Sequence, residues 1–95
     1  MQDTRLAVDL EAFGDNIRRW RKLQRLSAAL LAERSGITRN TLRAIETGTG
    51  GVRLLSVMSV LRTLGLTDQI LDATEPLNND VARLNVNDML VKRVR

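Results

Sequence analysis

The chain has 95 residues, enough for one domain with a modest core. It holds no cysteine, histidine or tyrosine, which excludes disulfides, thiolate and imidazole metal sites, and every catalytic arrangement that needs a histidine base. The formal charge is +4 and unevenly spread: 10–53 carries nine Arg/Lys against four Asp/Glu, 54–95 carries five of each, and 1–9 nets −1.

Leu10, Phe13, Ile17, Trp20 and Leu23 recur at three and four residues, predicting a first helix over about 10–25 with Asp9 as N-cap. Ser27 is placed to cap a second helix, which buries Leu31 and ends near Ser35. Gly36 is the residue able to take positive φ at its end. Ile37 fills the core and Thr38 caps a third helix, which Gly48 stops. Thr49-Gly50-Gly51 reads as a loop. Leu54 or Leu55, Met58, Leu61 and Leu64 mark a fourth helix ending at Gly65. Thr67 is expected to cap a short fifth helix burying Ile70 and Leu71, and Pro76 to end regular structure at Glu75. This gives an N-terminal arm (1–9), a helical domain (10–75) and a tail (76–95). There is no internal repeat.

Leu26 to Gly48 is the most informative stretch. It reads as two short helices joined at a glycine. The second has basic and amide side chains on one face and Leu42 and Ile45 on the other. That form suits a helix lying in a DNA major groove with its back on a small core. The basic excess of 10–53 fits a polyanion partner, although a solvated helix face would look the same by charge alone.

Several spaced elements look like one family: Ile17…Arg21, Leu31-Ala32-Glu33, Gly36-Ile37-Thr38, Thr41-Leu42, Ile45-Glu46-x-Gly48 and Leu64-Gly65-Leu66. Together they resemble the lambda-repressor/Cro-like, or XRE-type, helix-turn-helix family over about 13–71. The resemblance implies an all-α, five-helix DNA-binding domain. The continuation Leu66-Thr67-Asp68-Gln69-Ile70-Leu71-Asp72-Ala73, and the tail from Glu75-Pro76-Leu77 to Lys92-Arg93-Val94-Arg95, are similar to HipB-type antitoxins. That implies a cytoplasmic, bacterial, homodimeric repressor of its own promoter, partnered by a HipA-like kinase toxin. A phage-type or stand-alone repressor, and an interaction module that has lost DNA binding, are the alternatives.

Residue roles follow. Arg21 and Glu46 match family positions that form a buried ion pair, and an arginine fork can bond a carboxylate bidentately. Arg39, Asn40 and Arg43 are expected to contact bases: asparagine can bond adenine, and arginine guanine or phosphate. Ala44 could touch a thymine methyl. Thr38, Arg18, Arg25, Thr47, Thr49 and Arg53 are phosphate candidates. At the start of the second helix the family usually has polar residues, often a phosphate-binding glutamine. Here Ala28-Ala29-Leu30 stands instead, without the acid that completes a capping box.

The termini could each form a strand, since 1–8 and 84–95 alternate in part. HipB-type dimers, by resemblance, use a strand from each chain; a partly disordered tail is the other reading. The fourth and fifth helices, with Val57, Val60, Leu66 and Ile70, are a second dimer candidate. Glu11 with Asp15 and Asp68 with Asp72 lie one helical turn apart, as solvated surface acids do. No cofactor, metal, catalytic residue or membrane partner is expected: no apolar run reaches the length of a span, and the N-terminus lacks the order of a signal peptide.

Overall fold

Three left-handed exits set the course of the chain. The computed structural model describes residues 4–85. They form α1 (Thr4–Leu23), α2 (Ala28–Ser35), α3 (Arg39–Thr47), α4 (Leu54–Leu64), α5 (Thr67–Thr74) and a 3-10 turn (Pro76–Asn78), with 80–85 again helical. No strand occurs among the described residues. Gly36, Gly48 and Gly65 leave α2, α3 and α4 at φ 70°, 71° and 80°. At each exit the next residue's N–H reaches back five residues, Ile37 to Ala32, Thr49 to Ala44 and Leu66 to Leu61. This motif satisfies carbonyls that a helix end would otherwise leave open. The starts are built as locally. Ser27 Oγ accepts from Leu30 N–H and Thr38 Oγ1 from Thr41 N–H, both at 3.1 Å. Ser27 therefore caps α2 without the missing acid.

The core is Ile17, Leu31, Ala32, Leu42, Ile45, Val60, Leu61, Leu64 and Leu66. Phe13, Ile37, Met58 and Ile70 pack around it, half-buried. Four helices thus meet on one small apolar centre, with α1 crossing α3 and α4 backing α2.

Several expectations are corrected. α1 begins at Thr4 rather than near 10, so Asp9 lies inside the helix and 4–8 is not a strand. It ends at Leu23, and Arg25 sits in the following turn at φ 59°. Leu10, Trp20 and Leu23 keep the helical spacing but are exposed. Thr67 is not a cap: Leu66 holds that position in helical conformation, and Thr67 opens α5 with its hydroxyl buried and unpartnered. Leu71 is exposed, while Val60 and Leu66 belong to this chain's own core rather than to a spare surface. Pro76 starts a 3-10 turn instead of ending regular structure. Leu84 and Asn85, expected in a strand, are helical; the rest of that expected strand, 86–95, lies outside the described residues.

Candidate nucleic-acid interface

α3 is short, and its position depends on how closely α1 can approach. Gly14 on α1 lies against the carbonyls of Ile45 and Glu46. A Cβ built there would collide with the Ile45 oxygen and sit 2.6 Å from the Glu46 oxygen. Gly48, which ends α3, lies as tightly against Leu10 and Glu11 of α1, with a built Cβ 2.6 Å from the Leu10 oxygen. Two glycines, one on each side of the crossing, let backbone meet backbone.

A charged fork locks the same crossing. Arg21 Nε donates to Glu46 Oε2 at 2.7 Å and Nη2 to Oε1 at 3.1 Å. Nη1 donates to the Leu26 carbonyl at 3.1 Å. The side chains are only 13% and 10% exposed. Bidentate geometry and an extra backbone acceptor are what a buried pair needs to offset desolvation. The hydrogen bond to Glu46 raises the Arg21 pKa above its ordinary value; burial opposes this and the Glu46 charge adds to it. Arginine therefore stays charged at every working pH.

With Leu42 and Ile45 buried and Glu46 tied, Arg39, Asn40, Arg43 and Thr47 are left on the exposed side of α3. They line one open concavity of about 490 Å³ with Arg18 from α1 and Ala28 from α2. The structure thus brings Arg18, Arg39, Asn40 and Arg43 together. Asn40 also borders a second groove, with Ala44, Gly50, Gly51 and Arg53. Ala44 is half-buried there, beside the α3–α4 loop. Thr38 lies with Ser35, Gly36 and Arg53 in a third groove.

The remaining predicted contacts are placed less favourably. Arg25 borders none of these three grooves. The Thr47 hydroxyl donates to the Arg43 carbonyl at 2.8 Å. Both Thr49 donors, the hydroxyl at 3.3 Å and the N–H at 3.1 Å, point to the Ala44 carbonyl. These groups finish the end of α3, and both threonines are exposed there. Ala28 is half-buried and packs on the core. The apolar run opening α2 therefore serves packing at its first residue.

Sequence reasoning missed four supports. Gly14 is one, and a glycine inside a helical apolar pattern was its signal. Gln24 Nε2 donates to the Leu64 carbonyl at 2.8 Å, joining the end of α1 to the end of α4. Ser35 Oγ donates to Thr63 Oγ1 at 3.0 Å, joining α2 to α4. Ser56 is buried in α4 at the head of the Arg53 grooves. The last three carry no pattern in a single sequence.

A family model described as helix-turn-helix matches residues 17–71. The chain belongs to the XRE-type, lambda-repressor-like helix-turn-helix family. The match covers more than half the chain and spans α2, α3, α4 and the Arg21–Glu46 pair. Neither a curated protein nor a solved structure matches. Family membership makes this a DNA-binding regulatory domain, with α3 in the recognition-helix position.

Proposed function

We propose that the protein is a transcriptional repressor that docks α3 in the major groove and reads bases with Arg39, Asn40 and Arg43. The observation that supports this reading is the single exposed concavity where those three meet Arg18, on a helix held by a bidentate ion pair. Asn40 can bond an adenine edge with two hydrogen bonds, and either arginine a guanine edge. Ala44, beside Asn40, suits a thymine methyl. Arg18 and Arg53 flank the helix and suit phosphates; Thr38 would accompany Arg53. Arg25, in the positive-φ turn, is a weaker phosphate candidate. Repression then follows from occupying promoter DNA. A two-fold pair of protomers would span half-sites about 34 Å apart and so call for a palindromic operator.

The reading is tested with promoter DNA from upstream of the protein's own gene. Asn40→Ala should weaken that site by about 1–3 kcal/mol and leave random DNA nearly unaffected. Each neutralised phosphate should add about −0.9 to the slope of log affinity against log salt.

A narrower form makes the protein a HipB-like antitoxin that silences its own operon with a HipA-like kinase toxin. It is supported by the resemblance over 66–73 and in the tail. A kinase-like reading frame beside the gene, with a product that co-purifies with this chain, would support it. A solitary gene would leave the phage-type or stand-alone repressor.

A further inference from the structure

Charge is split between two segments of the chain. Residues 18–25 carry Arg18, Arg19, Arg21, Lys22 and Arg25 with no acid. Residues 66–85 carry Asp68, Asp72, Glu75 and Asp80 against one base, Arg83, whose Nε donates to the Leu77 carbonyl. Among the described residues, Arg21 is engaged by Glu46 and Arg19 by Asp15. Lys22 and the four acids have no ion-pair partner there, and all five are exposed.

Both segments also leave apolar surface open. On α1, Trp20 is 40% and Leu23 74% exposed. They line a wide concavity with Asn16, Arg19 and Lys22, separate from the groove that Arg18 shares with α3. On the acidic side, α5 buries no residue, and Leu71, Leu77, Val81 and Leu84 are all at least half exposed. The Gln24 bond to Leu64 sets the end of α1 beside the end of α4, where α5 begins. The basic, apolar end of α1 and the start of the acidic, apolar segment therefore come close on one protomer.

We propose that the occupant of the Trp20–Leu23 face is the acidic α5-to-85 face of a second copy of this chain, in a reciprocal two-fold pair. A two-fold axis brings each surface of one protomer to the other surface of its partner, so both complementary contacts form at once. Lys22 then faces the acids flanking Leu71, and Trp20 packs against the partner's exposed Leu71 and Leu77. An exposed tryptophan beside cations is the kind of anchor that dominates such contacts. The pairing gives a specific form to the dimer proposed above and leaves the Arg39–Asn40–Arg43 face open.

Trp20 is the only tryptophan in the chain, so its emission reports this face directly. The full chain is followed without DNA by sedimentation and fluorescence across concentration. Dimer formation should move Trp20 emission to shorter wavelength, protect it from acrylamide, and weaken as salt rises. Lys22→Glu and Asp72→Lys should each weaken association by about fivefold. Mixing the two variants should restore it, because each new charge meets its complement. Trp20→Ala should cost about thirtyfold; if it fails to fold, Leu23→Ser tests the same face. A monomer at all concentrations, a dimer whose Trp20 emission matches the monomer's, or a dimer indifferent to Lys22→Glu would overturn the proposal. None of these results bears on DNA binding, which is measured separately.

Discussion

The crossing of α1 over α3 and the segment from α5 to 85 are both helical, yet they are built on opposite terms. The crossing is closed: glycine against backbone on both sides, a forked ion pair beneath, Ile17, Leu42 and Ile45 buried between. The later segment is open. α5 buries no residue of its own, and the helical stretch beyond Pro76 shows large apolar side chains to solvent. A helix packed from several directions holds its side chains in fixed places, which a base-reading surface requires. A helix left half-bare keeps surface available for a partner. The contrast divides the chain into a closed half that presents α3 and an open half that leaves apolar surface bare.

Four substitutions probe that division, from the largest effect down. Glu46→Ala should cost about 3–5 kcal/mol in chemical denaturation, because it strands a buried arginine. An unchanged midpoint would mean the crossing does not depend on the pair. Gly14→Ala should cost about 3 kcal/mol, since its Cβ meets two backbone carbonyls that cannot rotate away. It should also weaken operator binding by shifting α3, whereas a stability loss with unaltered affinity would separate packing from presentation. Thr67→Val should raise stability by about 1 kcal/mol by removing a buried hydroxyl that has no partner. Leu71→Ala should change monomer stability by no more than about 0.5 kcal/mol. A loss near that of a core leucine would show that α5 is closed after all.

The turn from α2 to α3 is written locally: Ser27 and Thr38 as caps, Gly36 and Gly48 as exits, Leu31, Leu42 and Ile45 as the buried stripe. Each signal acts within a few residues, so one sequence displays it. Arg21 and Glu46 are 25 positions apart, and only the family resemblance paired them.

Where sequence reading failed, tertiary context decided. The start of α1 was missed although Leu6 continues the spacing of Leu10, Phe13 and Ile17. The helix runs on past the core that gave the pattern its meaning. Thr67 looked like a cap because Thr-Asp-Gln follows a glycine exit. Instead, Leu66 is pulled into the core and bonds back to Leu61, so it ends α4 and caps α5 in one step. Thr67 is left inside the helix. The alternating tail was ambiguous because alternation over a few residues does not separate a strand from a short amphipathic turn.

In the proposed function, the exposed side of α3, presented by its lock to α1, reads DNA sequence. The most direct measurement is a binding titration of wild type and Asn40→Ala on the protein's own promoter and on scrambled DNA, at two salt concentrations. Specific binding should fall with salt, and Asn40→Ala should lose about ten- to a hundredfold on the promoter alone. Equal loss on both DNAs, or no promoter binding even at low salt, would contradict the proposed function.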